Sequence, residues 1–427
     1  MGIVKTKRQN HSIIPISFTV FLDLLGVGIV IPLLGVLFLD PSSSLLPAAY
    51  SKTQRTFLLG MVIGVYPIAQ FFGAPMLGSI SDKIGRRKVL IISLFGTVIG
   101  YLLFAFGIMN GIFPLLIIGR LIDGFTGGNT SVAMSSIADI SDKKSKAGNF
   151  GIMGMAMGMG FVLGPFIGGK LGDSSVVSWF NYSTPFLFAS LLAMINIILV
   201  FLWLPETLHE RRNVKITPFT GFANIYKAFT IPSLRTIFII NFLINFGFSF
   251  FAQFFQVYLI VKFSFDQSQI GNIFAFIGLW IVITQGLIAR PLSRRINPLK
   301  MLSFSPLLLA ATFFIIIIPK DYSLLYFIIP FVAVFHGLNY PNITSIISNL
   351  SDKSTQGEIL GINQSMLSVA QALPPLIAGV IVAIHPSFPI IAGSILTFAA
   401  WLIFLLFFRP AHKNMFDDDF AVKGEKI

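Results

Sequence analysis

Long apolar segments, each followed by a short polar stretch, recur along the whole chain. Of the 427 residues, 55% are hydrophobic and 11% are charged, and the mean hydropathy is +0.84. Because a soluble protein this apolar would expose large adhesive patches, we expect the chain to be surrounded by lipid. A membrane-spanning helix needs about 20 apolar residues. Twelve predicted spans meet this requirement, namely residues 14–38, 56–80, 89–109, 112–138, 149–171, 185–204, 236–261, 268–289, 299–319, 322–348, 358–384 and 387–409.

The basic residues are unevenly distributed between the two sides of the membrane. A net charge of +13 could suggest a nucleic-acid partner, but the positions of the charges argue against one. Arg120 lies inside a span, and most other Lys and Arg residues fall in the segments on the side of the N-terminus. The opposite side holds Lys52, Arg55, Lys170, Lys262 and Lys320. This positive-inside pattern predicts that both termini are cytoplasmic.

The second half of the sequence repeats features of the first. The segment ISDK at 140–143 corresponds to LSDK at 350–353, and GPFIGG at 164–169 corresponds to PPLIAG at 374–379. Repeated six-helix halves are one way in which transporters are built. The predicted organisation is an all-α membrane protein with an N-terminal six-helix bundle over residues 1–204, a cytoplasmic linker over 205–235, a C-terminal six-helix bundle over 236–409 and a cytoplasmic tail over 410–427.

Three residues that are charged at neutral pH fall well inside predicted spans: Asp23 in the first, and Arg120 and Asp123 in the fourth. An unpaired charge at that depth costs several kcal/mol, roughly, so these side chains should face the bundle interior and meet. Arg120 and Asp123 share a helix face, and we expect Asp23 to reach Arg120 from the neighbouring helix. Two carboxylates would then share one guanidinium, and one of them is expected to hold a proton part of the time. The sequence therefore predicts a proton-coupling site.

A fixed ion pair that holds the first and fourth spans together is the structural alternative for these charges. The extra carboxylate favours proton coupling, because a purely structural pair needs only one acid. His336, in the tenth span, could also titrate. A single histidine in a span more often packs as a hydrogen-bonded residue.

Polar side chains inside the other spans are candidates for a substrate cavity. The seventh span carries a stripe of amides and a hydroxyl on about a third of its circumference, and the eleventh span carries a second stripe. The candidates are Gln70, Asn241, Asn245, Ser249, Gln253, Gln256, Gln285, His336, Gln364, Ser368 and Gln371. Amides in a span either join helices or face water, and the stripe of five in the seventh span favours the cavity. With the many Phe residues, it suits a fairly large amphipathic solute.

Four motifs resemble those of the major facilitator superfamily. The loop after the second span fits G-x-x-x-D-[RK]-x-G-[RK]-[RK] through Gly78, Asp82, Lys83, Gly85, Arg86 and Arg87. The fifth span fits the motif of proton-coupled drug exporters, G-x-x-x-G-P-x-x-G-G, through Gly160, Gly164, Pro165, Gly168 and Gly169. The first span, from Leu22 to Pro32, and the fourth, from Gly119 to Ile140, resemble the tetracycline-resistance branch. The chain therefore resembles the drug:proton antiporters of this superfamily, of the tetracycline-resistance type.

The resemblance implies a role for several of these residues. Arg120 would be the buried arginine tied to proton coupling. Asp82 would face the N-terminal end of the eleventh span, and Arg86 would pair with Asp139, so that the loop forms a conformational clamp on the cytoplasmic side. Topology alone also accounts for Arg86 and Arg87 as basic residues that hold a loop inside. The corresponding second-half loop has lost its Asp and Gly, which argues against a symmetric clamp.

The predicted function is proton-coupled export of a drug-like or secondary-metabolite solute by alternating access in a bacterial plasma membrane. The rival hypotheses are uptake of a nutrient or siderophore by proton symport, and a facilitator that ignores protons. An enzyme is not expected, since no nucleophile with a base, metal cluster or phosphate loop is evident. We expect a small-molecule substrate, the lipid bilayer as surroundings, no nucleic acid, a monomer, and no cofactor apart from the proton gradient.

Overall fold

The computed structural model describes residues 2–41, 43–141, 146–208, 217, 219–289, 292, 296–350 and 356–408, and in these residues it is helical, without a β-strand. The helices are α1 (Gly2–Leu39), α2 (Lys52–Ile84), α3 (Arg86–Met109), α4 (Phe113–Thr126), α5 (Asn129–Ile140), α6 (Lys146–Leu171), α7 (Thr184–Trp203), α8 (Thr220–Thr230), α9 (Pro232–Phe263), α10 (Gln267–Ile283), α11 (Pro298–Ile315), α12 (Leu325–Asn349), α13 (Gln356–Ile384) and α14 (Phe388–Ile403). The predicted tail at 410–427, linker residues 209–216 and the second-half segment 293–295, with its two arginines, lie outside the described part.

Eleven helices among the described residues are long and apolar enough to cross a membrane. Each overlaps one of the predicted spans, so the prediction of an all-helical chain with many membrane-crossing segments is confirmed. The eighth and twelfth predicted spans end in π-helical turns, at Thr284–Ala289 and Phe404–Phe408. The remaining predicted span, 112–138, corresponds to α4 and α5.

The predicted span 112–138 is interrupted at Gly127 and Gly128. Both glycines keep right-handed φ angles, −62° and −61°, but their ψ angles of −11° and −8° tighten the turn. The helix α2 imposes this kink by close packing: a Cβ at Gly128 would overlap the backbone of Ala74, and a Cβ at Gly73 would overlap the carbonyl of Phe125. The apolar pattern alone does not show such an approach, so the sequence predicts one continuous helix.

The chain divides into two compact units, Met1–Gly221 with Leu259–Gly278, and Phe222–Tyr258 with Leu279–Ile427. In the first unit α1 packs on α6 and α7, and α4 packs on α2 and α3. Its buried core contains Ile16, Val20, Leu77, Val89, Leu90, Leu94, Val132, Ala133, Ile137, Met153, Val200 and Leu204. This arrangement brings α1 and the kinked pair α4–α5 together, which sets the position of the charged residues.

The second unit has its own core. The helix α11 packs on α12 and α14, and buried side chains such as Phe238, Ile346 and Phe404 belong to one apolar cluster. Close approach joins α9 to α14, where a Cβ at Gly393 would lie 2.6 Å from the carbonyl of Gly247. The unit positions the polar face of α9.

Candidate functional site

The ion pair between Arg120 and Asp123 is buried inside the first unit. Arg120 Nη1 lies 3.7 Å from Asp123 Oδ2, and the two side chains are 5% and 6% exposed. This distance exceeds that of a strong charge-assisted hydrogen bond. The Nε atom of Arg120 is also buried without a hydrogen-bond partner among the described residues. The Nε–H group of the guanidinium therefore remains available for a further acceptor.

The sequence predicts that Asp23 shares the guanidinium of Arg120 with Asp123. In the structure Asp23 lies near this pair but hydrogen-bonds to a different residue. Its Oδ2 accepts a hydrogen bond of 3.1 Å from the Thr130 hydroxyl, and the membrane-interior ion pair in the described part of the chain joins Arg120 to Asp123. The kink accounts for the difference, because Thr130 stands in the first turn of α5, beyond the kinked glycines. Asp23 is also 5% exposed and interacts electrostatically with Asp123. Because Asp123 pairs with Arg120, the three charges form one electrostatic cluster.

Two tyrosines that the sequence analysis did not single out complete the cluster. The guanidinium carbon of Arg120 lies 4.5 Å from the centre of the Tyr66 ring in α2. The hydroxyl of Tyr101 in α3 reaches Gly26 of α1, where a Cβ would overlap it. Both rings interact electrostatically with Asp23, Asp123 and Arg120. An arginine inside a span is a signal for an aromatic partner, but many aromatic residues could have filled this position.

Gln70, predicted to line the substrate cavity, contacts the kink. Its Nε2 donates a hydrogen bond of 3.1 Å to the carbonyl of Gly127, and Ser131 Oγ donates to the carbonyl of Ala74 at 3.0 Å. These bonds join α2 to the interrupted helix. Asn129, at the start of α5, is fully buried, and its amide is a second polar neighbour of the Asp23 carboxylate beside Thr130, although no hydrogen bond of ordinary geometry joins the two side chains.

In the second unit the amides of α9 bind other helices and one another. Asn241 Nδ2 donates to Asn363 Oδ1 in α13 at 2.7 Å, and Asn245 Nδ2 donates to both oxygens of Asn241 at 2.8 Å. Asn241 and Asn363 are 2% and 5% exposed. For Asn241 the geometry is therefore that of a helix-joining amide. Asn363, one residue before the predicted stripe of α13, is absent from the sequence-based candidates.

Farther along α9, Gln253 contacts two elements. Its Nε2 donates to the hydroxyl of Ser249 and, at 3.1 Å, to the carbonyl of Gln371 in α13. Its Oε1 is buried without a partner in the described residues. Gln256 Nε2 donates to the carbonyl of Gln253 at 3.1 Å. This part of the stripe keeps an unused polar atom.

The remaining cavity candidates are distributed over α13, α12 and the π-helical turn after α10. Gln364 and Gln371 are exposed, whereas Ser368 is buried and donates to the carbonyl of Gln364 at 3.1 Å. Gln285 is an exposed residue of the π-helical turn. The ring of His336 stacks on Phe248 with centroids 3.4 Å apart.

The basic motif Gly78–Arg87, predicted as a loop, lies at the junction of α2 and α3, where Gly85 separates the two helices. It forms a compact ion-pair network. Arg86 Nη2 lies 2.6 Å from Asp82 Oδ1, and its Nε donates to Asp139 Oδ2 of α5 at 3.2 Å, which is the pairing that the resemblance implies. Arg86 Nη1 also donates to Ser81 Oγ. Arg87 donates to the carbonyl of Phe201 and lies 5.2 Å above that ring. The motif is thereby held to α5 and α7.

Gly85 and Glu206 fix the start of α3. Gly85 has a φ of 110°, a conformation that favours glycine, and a Cβ there would overlap the Glu206 carboxylate. Glu206 Oε1 accepts hydrogen bonds from the backbone N–H groups of Arg86 and Leu208 at 2.8 and 3.1 Å. Gly78, the first motif glycine, has room, since a Cβ would meet only Ser131 Oγ at 3.6 Å. The role of Glu206 is not apparent from sequence.

The glycines of α6 allow close contact with α1. A Cβ at Gly160, Gly164 or Gly168 would lie 2.5–2.6 Å from the carbonyls of Phe21, Leu25 and Ile29, respectively. These carbonyls flank Asp23 along α1. Gly169 and the Pro165 carbonyl lie on another face of α6 and pack on α10, near Gln267 and Gly271.

A family model described as Major Facilitator Superfamily matches residues 16–290 and 237–424. A tetracycline resistance protein of class G from Vibrio anguillarum is 30% identical over 83% of this chain and 86% of its own length. The class C protein from Escherichia coli is 29% identical over 89% and 92%. The quinolone resistance protein NorA of Staphylococcus aureus is 26% identical over 93% and 97%. The predicted resemblance to the drug-exporter branch is confirmed.

Two solved structures share the fold. The human organic anion transporter MFSD10 superposes with a TM-score of 0.70 at 23% identity, covering 93% of this chain and 99% of its own. A D-xylose-proton symporter superposes with a TM-score of 0.74 at 16% identity, covering 93% and 98%. The matches of sequence and fold extend over both halves, and the chain therefore belongs to the Major Facilitator Superfamily.

Proposed function

We propose that this chain is a secondary transporter that exports a drug-like or secondary-metabolite solute in exchange for protons, by alternating access, in a bacterial plasma membrane. The observation that carries the proposal is the buried cluster of Asp23, Arg120 and Asp123, in which two carboxylates accompany one guanidinium. Its setting is a family whose similar members are tetracycline and quinolone resistance proteins.

The excess carboxylate makes the cluster sensitive to protons. If both acids were ionised, a net negative charge would remain in surroundings where an uncompensated buried charge costs several kcal/mol, roughly. Uptake of one proton removes that excess. Asp123 already contacts Arg120, while Asp23 has a hydroxyl donor instead of a cation. We therefore assign Asp23 as the acid that exchanges its proton during transport, with Arg120 and Asp123 setting the local charge.

We further propose twelve spans in two six-helix bundles, with both termini cytoplasmic. The eleven apolar helices account for eleven spans. The pair α4–α5 provides the other, because residues 113–140 rise about 42 Å as helix, more than the hydrocarbon core of about 30 Å. An even number of spans puts both termini on one side, and the distribution of basic residues makes that side cytoplasmic.

The motif between α2 and α3 is proposed as the conformational clamp of the cytoplasmic side. The Arg86 side chain is 8% exposed and forms ion pairs with both Asp82 and Asp139. Separation of these groups would leave buried charges unpaired. Glu206 holds the backbone of Arg86, and Arg87 attaches the same motif to α7. These contacts hold the motif to α5 and α7 and to the chain segment around Glu206.

The substrate is proposed to be a single small amphipathic molecule, bound by a monomer without any cofactor other than the proton gradient. The names of the relatives suggest tetracyclines and quinolones as first candidates. The exposed amides of Gln364 and Gln371 are available to a solute, and the buried Oε1 of Gln253 is an unused acceptor beside the Gln371 backbone.

The experiment is transport in everted bacterial membrane vesicles that contain the full chain. Tetracycline and norfloxacin uptake is followed while the vesicle interior is acidified by respiration. Substrate accumulation that a protonophore abolishes, together with substrate-induced proton release from the vesicle interior, is the expected result. Vesicles from the same host without the protein are the control.

The direction of the gradient separates export from the rival mechanisms. A proton symporter would accumulate substrate in these vesicles only after the pH gradient is inverted. A facilitator would equilibrate substrate at the same rate under either gradient. Either outcome contradicts proton-driven export.

A further inference from the structure

The hydroxyl of Thr130 has two competing acceptors at the proton-coupling cluster. Its Oγ1 lies 3.1 Å from Asp23 Oδ2 in α1 and 3.3 Å from the carbonyl oxygen of Gly127 at the kink. A threonine hydroxyl has a single hydrogen and can donate it to one strong acceptor at a time. The choice of acceptor therefore depends on the state of Asp23.

The two states of Asp23 favour different orientations of this hydroxyl. An ionised carboxylate is the stronger acceptor, so the hydrogen of Thr130 points to Asp23. A protonated Asp23 can itself donate to the Thr130 oxygen, and the threonine hydrogen then turns to the Gly127 carbonyl. No backbone movement is needed for this exchange, because a hydroxyl hydrogen rotates freely.

The second acceptor connects the hydroxyl to a predicted substrate-cavity residue. The Gly127 carbonyl also receives the hydrogen bond of 3.1 Å from Gln70 Nε2 of α2. This oxygen has two lone pairs and can accept both donors. A stronger bond from Thr130 weakens the bond from Gln70, because both donors draw on the negative charge of one oxygen. A continuous path of hydrogen bonds thus leads from Asp23 through Thr130 and the Gly127 carbonyl to Gln70.

We propose that Thr130 is a positioning residue that stabilises ionised Asp23 and transmits its protonation state, through the Gly127 carbonyl, to the Gln70 amide. The proposal rests on the proposed proton-coupled function. It also gives the kink a role, since the interruption of the helix exposes the Gly127 carbonyl to side chains of two other helices.

Other charged and titratable groups act on Asp23 from the helices around it. Asp123 of α4 and the Asn129 amide of α5 act on Asp23 directly. Tyr66 of α2 and Tyr101 of α3 interact electrostatically with Asp23, Asp123 and Arg120. The face of α6 that packs on α1 presents glycines, and α7 presents the neutral amide of Asn196, which donates to Thr19 at 2.8 Å. Substitutions of Thr130 leave each of these groups in place.

The first test is the pH dependence of gradient-driven transport in Thr130→Val and Thr130→Ser. Without the hydroxyl, ionised Asp23 loses a donor, so the pH of half-maximal transport is expected to rise by about one unit, a roughly tenfold change in proton affinity. Thr130→Ser keeps the hydroxyl and should restore the wild-type midpoint. Ser136→Ala is the matched control, because this buried hydroxyl of α5 donates to its own helix at Val132.

The second test measures the connection to Gln70. Tetracycline binding to the purified protein is measured at several pH values in the wild type, Gln70→Leu, Thr130→Val and the double variant. The pH dependence of the dissociation constant should weaken in each single variant, and the double variant should show no further loss. Independent, additive effects would overturn the transmission to Gln70.

Failure of this inference is distinguishable from failure of the proposed function. If Asp23→Asn loses gradient-driven transport while Thr130→Val keeps the wild-type midpoint, Thr130 does not position Asp23 and the inference is overturned. The same holds if Thr130→Ser behaves as Thr130→Val. If both Asp23→Asn and Asp123→Asn still accumulate substrate, the proposed function itself fails. Should Thr130→Val not accumulate in the membrane, Thr130→Ala replaces it in both tests.

Discussion

The guanidinium carbon of Arg120 lies 4.5 Å from the centre of the Tyr66 ring, so the buried cation of α4 rests on an aromatic face of α2. This contact gives Arg120 a favourable surrounding that does not use its hydrogen-bond donors. The carboxylate of Asp123 can therefore remain at 3.7 Å, and the guanidinium stays available for a change of partner during transport.

Replacement of Tyr66 by Leu removes this aromatic face and should destabilise the protein by about 1–2 kcal/mol, the range of a desolvated cation–π contact. Tyr66→Phe keeps the face and should lose less than half as much. Thermal unfolding of the purified proteins in detergent measures both effects. Equal losses in the two variants would show that the hydroxyl, rather than the ring face, supports Arg120.

Neutralisation of either buried acid should remove proton-driven transport without loss of the protein. In Asp23→Asn and Asp123→Asn the cluster no longer carries an excess carboxylate, so a proton has no charge to compensate. Substrate accumulation in energised vesicles should fall to the level of empty vesicles, while membrane expression stays normal. Asp321→Asn, in an exposed segment, is the control, and continued accumulation in both buried variants would contradict the mechanism.

The two glycines of the motif between α2 and α3, Gly78 and Gly85, should respond very differently to replacement by Ala. Gly85→Ala places a Cβ at a φ of 110° and against the Glu206 carboxylate, which should cost about 1–3 kcal/mol. Gly78→Ala meets only Ser131 Oγ at 3.6 Å and should be nearly neutral. Expression level and thermal stability of the two variants are compared side by side. Similar losses in the two variants would show that the backbone geometry at Gly85 is not the reason for a glycine there.

The glycines of α6 offer another matched pair. Gly164→Ala would force a Cβ within 2.6 Å of the Leu25 carbonyl and separate α1 from α6, whereas nothing lies within 4 Å of a Cβ at Gly154. We expect Gly164→Ala to lower stability by about 1–3 kcal/mol. Gly154→Ala should be neutral or slightly stabilising, because Ala is the better helix former. Thermal unfolding followed by circular dichroism measures the difference.

Amides that join helices can be distinguished from amides that contact substrate by the effect of replacing each one, on stability in the first case and on drug resistance in the second. Asn241→Leu leaves the buried Asn363 amide unpaired and should destabilise the protein by about 1–3 kcal/mol. Gln364→Leu alters an exposed side chain and should instead change the relative resistance to different drugs at unchanged stability. The two readouts are unfolding temperature and a drug-susceptibility panel in a hypersensitive host. The reverse pattern would assign Asn241 to the substrate site.

Much of the fold follows from the sequence because the bilayer imposes strong local rules. A span must be apolar over about 20 residues, and its backbone must be hydrogen-bonded within the helix. Eleven spans and the unusual status of Asp23, Arg120 and Asp123 are therefore evident from residue order alone. The motif from Gly78 to Arg87 and its side of the membrane are also predicted from the sequence, since basic residues next to a span indicate the cytoplasmic side.

The partners of these residues depend on tertiary structure. The sequence shows that the buried charge of Arg120 must be offset by other groups. The packing of α2 against the kink places the Tyr66 ring against Arg120 and directs Thr130 toward Asp23. The same applies to Glu206 at Gly85 and Asn363 at Asn241, whose sequence separations are large. The free-energy cost of burying a charge is evident from the sequence, because it depends on a charged residue lying within an apolar segment. Which atoms offset that cost depends on helix rotation and close glycine contacts, and these are decided when the helices pack.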